Sequence, residues 1–209
     1  EVILHKKVAS GKRKSAGIFH ALVMYGFIFF GLITIIHFGM AFGLPIFSDS
    51  IRHAYFLFFG APWAILCSIG ILGLAYRRFV IKPEALGKFS STSAIVSVFI
   101  VTLMVTYLID EFHILSGAAE KFNWWLHSGV IGGFLFLIPQ SKHMHLVLSP
   151  FNIFLRPFEV PSHGAIPIDM EASEEELDNL LLDLSRLSKD QALDIFTCVE
   201  CGRCTDVCP

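Results

Sequence analysis

Charge is what this sequence most conspicuously lacks. Only 16% of its 209 residues are Asp, Glu, Lys or Arg, where a soluble domain carries about a quarter. The shortfall is concentrated in four stretches, 15–48, 53–76, 89–109 and 122–141, which hold no charged residue at all. About 20 apolar residues cross a bilayer core at roughly 1.5 Å per residue. The runs therefore predict four transmembrane helices, over about 17–41, 54–77, 92–113 and 123–147. A cleavable signal peptide is one short apolar core before a small-residue site, so these long, repeated runs are not that. A transporter or channel would place charge or helix breaks at mid-membrane, and the runs carry no charge.

Other absences narrow the field. No acid–base dyad, nucleophile, phosphate-binding loop, repeat or low-complexity tract is visible, and nothing points to nucleic acid. There is no starting methionine, and the last residue, Pro209, falls inside a motif. The chain is expected to be a piece of a longer protein, with a helix before it and a domain after it both plausible.

What charge there is divides unevenly between the helix ends. Lys6, Lys7, Lys12, Arg13, Lys14, Arg77, Arg78, Lys82, Lys88, Lys142 and Arg156 fall on one side, Arg52 and Lys121 on the other. Lys and Arg accumulate on the cytoplasmic face. The expected protein is thus multi-pass in the cell membrane, in contact with lipid, with both the N-terminal end and the C-terminal tail cytoplasmic.

Three regions follow: a transmembrane part over 1–148, a strap and linker over 149–187, and a small cysteine-bearing part over 188–209. The strap, "SPFNIFLRPFEVPSHGAIPIDME", has four prolines and no helical period. Ser173 and Glu176 then form a capping box, and Leu177, Leu180, Leu181 and Leu184 line one face of an amphipathic helix. Ser188 with Gln191 repeats the capping pattern and opens a short helix that delivers Cys198.

Cysteine is scarce too, but four of the five lie in the closing "CVECGRCTDVCP". Cys198, Cys201, Cys204 and Cys208 with Pro209 match C-x2-C-x2-C-x3-C-P, the bacterial ferredoxin spacing. In that arrangement three thiolates hold one 4Fe–4S cluster and the fourth ligates another. Zinc sites usually separate two cysteine pairs by a longer loop and leave the trailing Cys-Pro unexplained. A disulfide does not suit a reducing compartment. The remaining ligands must then lie beyond residue 209, and Cys67, alone in mid-helix, reads as a small apolar side chain.

Histidine inside hydrocarbon is costly and marks function. His20 and His37 lie on the first predicted helix, His127 and His145 on the fourth. The separations are 17 and 18 residues, or roughly 26 and 27 Å of helix rise. Two antiparallel helices thus present histidines at two matching levels, as two stacked b haems require. At about 100° per residue, His145 shares a face with His127 while His143 lies roughly 160° away. Pro139 loosens that argument. Any one of these histidines could instead tie helices together by hydrogen bonds. His53 and His113 lie at the outer boundary beside Asp49, Asp110 and Glu111, as a solvated loop or a proton-handling group at a quinol site. His5 and His163 read as surface residues. Gly26, Gly31, Gly129, Gly132 and Gly133 would admit either a flat macrocycle or a neighbouring helix.

The motifs "GIFHALVMYGFIFFG", "WWLH", "PQSKHMH", "SPFNIFLRPFE", "PIDME" and "CVECGRCTDVCP" together resemble a family. It is the membrane-bound iron–sulfur oxidoreductases related to heterodisulfide reductase. In these a domain similar to the nitrate reductase gamma subunit is fused to a ferredoxin-like, cysteine-rich one. The resemblance implies an all-α membrane fold, a five-helix dihaem cytochrome b whose first helix precedes Glu1, then the start of a ferredoxin-like domain. It implies two 4Fe–4S clusters in the full-length protein. It also implies electron exchange between menaquinone and a soluble partner such as electron-transfer flavoprotein or a thiol–disulfide couple. The gamma subunit carries its second early histidine ten residues after the first. That position here is Phe30, so the outer ligand must be His37 or another group.

Two functions are then in contention. One is a quinone-linked oxidoreductase; the other is a passive membrane anchor, without haem, that recruits a soluble redox enzyme.

Overall fold

The structure, a computed structural model, describes residues 14–44, 48, 51, 54–86, 89–155 and 189–199. Most of these residues are helical, and none of them forms a strand. Three helices are long and apolar enough to cross a membrane: α1 (Lys14–Ala41), α2 (Phe56–Ile81) and α3 (Ser91–Glu111). They follow three of the charge-free runs closely. Next come α4 (Ala118–Leu137), α5 (His145–Leu155) and α6 (Lys189–Thr197). The described residues divide into two compact units, the first ending at Phe136 and the second beginning at Leu137.

In the first unit α2 packs against both α1 and α3. In lipid no hydrophobic force drives helices together, so close approach depends on small residues. A Cβ on Gly26 of α1 would lie 2.8 Å from Cys67 Sγ of α2. A Cβ on Gly70 would lie 2.8 Å from the Phe19 carbonyl oxygen. Ala64 is fully buried and, with Cys67 and Met104, centres a cluster that takes in Phe30, Ile100, Leu103, Tyr107 and Leu108. Cys67 is thus the small apolar core residue expected of it. Outward, the same helices expose Ile35 at 68%, Phe38 at 63% and Val98 at 62%. Water would not tolerate so much contiguous apolar surface, and lipid covers it without cost.

Helix α2 opens with a π turn over Phe56–Gly60. The Tyr107 hydroxyl enters there, donates to the Phe56 carbonyl at 3.2 Å, and occupies the space a Gly60 Cβ would need. Such wide turns are single insertions in otherwise regular helices. Helix α3 begins at Ser90, whose hydroxyl accepts from the Ser93 N–H. It ends where His113 turns left-handed at φ 48°.

The fourth expected helix needs correction. A single span over 123–147 does not form, because α4 stops at Leu137 and a new helix starts at His145. The cause lies in Pro139, which has no N–H to donate and crowds the carbonyl four residues earlier. The Ser141 N–H turns back to the Ile138 carbonyl, and Ser141 then caps a 3-10 turn over Lys142–Met144. Although α4 is 20 residues long, its first half carries Glu120, Lys121, Asn123 and His127, so it is less apolar than the three spans.

Two further readings concern the second unit. The strap expected from Ser149 begins as helix, since α5 runs to Leu155 with Pro150 inside it. The short helix expected before Cys198 is α6, ending at Thr197. Asn152 of α5 holds α6 by donating to Asp194 Oδ1 and Thr197 Oγ1, each at 2.8 Å. The amphipathic helix expected around 173–187 lies outside the described residues.

Candidate haem-ligand and cluster sites

The polar side chains buried among the described residues are Thr106 and Asn123. Thr106 meets His127 directly, and Asn123 bonds the Thr106 main chain. Thr106 Oγ1 lies 2.7 Å from His127 Nδ1 and 2.7 Å from the Thr102 carbonyl. A hydroxyl has one hydrogen, which can go to the Thr102 carbonyl or to an unprotonated His127 Nδ1. With Thr106 donating to Thr102, the hydroxyl oxygen accepts from His127 Nδ1–H, the tautomer in which Nε2 is the lone-pair nitrogen. Asn123, one helical turn before His127, donates from Nδ2 to the Thr106 carbonyl at 2.9 Å and ties α4 to α3 at the same level.

His37, on the last turns of α1, packs its ring against Phe56 with centroids 5.0 Å apart. It stands within electrostatic range of His127, as does Asp110. Phe30 instead meets Tyr107 edge-on at 5.2 Å within the apolar cluster.

His20 is half-buried on α1 of the first unit, and His145 opens α5 in the second. His145 Nδ1 lies 2.8 Å from the Lys142 carbonyl. A carbonyl only accepts, so this ring carries a hydrogen on Nδ1. His143 instead has Nδ1 3.2 Å from the Ser141 hydroxyl, which can donate or accept. Helix α4 ends at Leu137, so no continuous helix relates His127 to His145 by angle or by depth. Hydrogen bonding still sets His145 apart from His143.

These residues suit haem. Imidazole is an established axial ligand, and each Nδ1–H hydrogen bond raises the basicity of the Nε2 opposite. Of the five glycines, Gly26 faces Cys67, and a Cβ on Gly133 would lie 2.9 Å from the Phe99 ring; both serve helix packing. Gly31, Gly129 and Gly132 have nothing within 4 Å of an added Cβ.

Cys198 follows α6 directly, exposed, its N–H donating to the Ile195 carbonyl at 3.1 Å. Cys201, Cys204 and Cys208 lie outside the described residues, as do His5, His53, Asp49 and His163. Among the described residues no three metal-binding side chains cluster. His113 lines a small outer cavity with Ile109, Asp110, Leu115, Glu120 and Asn123.

Thr106 and Asn123 were not anticipated from sequence. The readable signal was Asn123 itself, an amide in an apolar run placed four residues, one turn, before a histidine.

Over nearly its whole length the chain is similar to an iron–sulfur oxidoreductase. It is 32% identical over 228 aligned positions, covering 95% of the chain, to the probable iron–sulfur-binding oxidoreductase FadF of Bacillus subtilis. It is 23% identical, over 89% of the chain, to the EtfAB:quinone oxidoreductase of Syntrophomonas wolfei. The chain spans about a third of the length of these relatives, 32% and 31%. It matches no protein-family model and no solved structure.

Proposed function

We propose that this chain is the membrane part of a quinone-linked oxidoreductase that transfers electrons between a cytoplasmic iron–sulfur centre and the quinone pool. The observation that carries the reading is the hydrogen bonding of two histidines: Nδ1 of His127 meets the Thr106 hydroxyl and Nδ1 of His145 meets the Lys142 carbonyl, contacts that suit ligation of iron through Nε2. Haem b bound at such nitrogens would supply one-electron redox centres within the membrane.

The chain's own residues would do the rest. His37 and His127 would hold the outer haem, His20 and His145 the inner one. The apolar helices would exclude water and set the potential. Cys198, Cys201 and Cys204 would hold a 4Fe–4S cluster, and Cys208 would ligate a second. The excess of Lys and Arg at one set of helix ends supports a cytoplasmic tail. The relatives' names support iron–sulfur binding, and the second one favours electron-transfer flavoprotein as soluble partner and a quinone, such as menaquinone, as substrate. The wider kinship with heterodisulfide reductase and the cytochrome b-like plan are part of the same proposal.

The test is optical. Membranes containing the full-length protein are expected to show reducible b-type absorption bands that quinol analogues perturb. A colourless membrane domain would leave the passive anchor as the better account.

A further inference from the structure

A buried hydroxyl in a membrane helix usually satisfies itself by bonding the carbonyl one turn back. Thr106 does so, and its hydroxyl also meets His127 Nδ1 at 2.7 Å across to α4. It is 3% exposed, and the other buried polar side chain among the described residues, Asn123, is bonded to its carbonyl. Such a concentration of satisfied polar groups in an apolar bundle needs a reason, since valine would fill the same space. Helix pairing is one such reason, but Gly133 against Phe99, and Phe99 edge-on to Phe134, also join α3 to α4.

We propose that Thr106 is a positioning residue for the outer haem: its hydroxyl, oriented by the Thr102 carbonyl, fixes the tautomer and ring plane of His127. Asn123 assists by holding the Thr106 turn against α4. The inference rests on the haem reading above but concerns one side chain beyond it. A neutral hydroxyl acceptor raises the basicity of the ligand less than a carboxylate would. Removing it withdraws electron density from Nε2, weakens binding and favours ferrous iron, so the midpoint potential rises.

The experiment compares the full-length wild type with Thr106→Val and Thr106→Ser, each as detergent-solubilised protein. Thr106→Val keeps the shape and removes the acceptor. It is expected to weaken outer-haem binding about 10–100-fold, the usual cost of losing such an outer partner. The haem that remains should have a raised midpoint potential and an altered low-spin EPR signal, because that signal follows the ring planes of the axial ligands. The inner haem serves as internal control and should not change. Thr106→Ser should restore both the potential and the signal.

Nitrogen-15 NMR of histidine-labelled, haem-depleted protein adds a readout independent of bound haem. His127 should be Nδ1–H in wild type and a tautomer mixture in Thr106→Val. A Thr106→Val protein with unchanged outer-haem potential and signal would overturn the inference and leave the haem reading standing. A Thr106→Ser protein as defective as Thr106→Val would also overturn it, by showing that only packing matters. A colourless wild type would overturn the haem reading itself, and this inference with it.

Discussion

His127 and His145 find the partners of their Nδ1 atoms by different routes. His127 depends on a side chain from another helix, Thr106 of α3. His145 depends on the main chain three residues before it, the Lys142 carbonyl in the turn after Pro139. A side-chain acceptor can be exchanged by a single substitution, so the outer site is open to tuning. A main-chain acceptor survives any residue at 142 but needs the local break that exposes it. One site is therefore governed by helix packing and the other by helix termination.

The largest expected effect tests whether the two sites are separate at all. His145→Ala should remove one haem from the full-length protein and leave the other, with the iron and sulfide of the cysteine-bearing tail unchanged. Difference spectra and cofactor assay check this. Joint loss of both haems and the clusters would show general misfolding and end the comparison. A smaller effect is expected from Pro139→Ala. It restores an N–H in reach of the Leu135 carbonyl and removes a residue that costs a helix interior about 3 kcal/mol. Helix α4 should then extend beyond Leu137, dissolve the turn over Lys142–Met144 and displace His145. The inner haem should bind about tenfold more weakly, a change worth about 1.4 kcal/mol, while the outer haem's spectrum holds. Equal loss at both levels would mean that the break serves the whole bundle.

The two histidines also show how far sequence could go. The α1–α3 spans were legible because charge-free length is itself the physical requirement for crossing hydrocarbon. The end of α4 was not. The run 122–141 continues into apolar "HMHLVL", and composition hides a lost hydrogen bond at Pro139. Histidines announce themselves by chemical type, whereas Thr106 does not, since threonine is ordinary in an apolar helix and its partner lies 21 residues away. His145 was singled out by an angle along a helix that does not continue. The structure distinguishes the same residue for another reason, the carbonyl it faces.

The smallest expected effect probes whether helix termination alone governs the inner site. Asn152 uses both amide hydrogens to hold α6 beside α5, one on Asp194 and one on Thr197, directly before Cys198. An ordinary hydrogen bond contributes about 0.5–1.5 kcal/mol, and exposure places these near the lower figure. Asn152→Ala should therefore raise hydrogen exchange across Lys189–Thr197 by roughly fivefold, about 1 kcal/mol. Cluster iron and both haem spectra should stay as they are, because the Lys142 carbonyl that orients His145 lies outside this contact. A shifted inner-haem spectrum would show instead that α6 helps set the ring of His145. The inner site would then depend on packing as the outer one does, and the contrast between the two would fail.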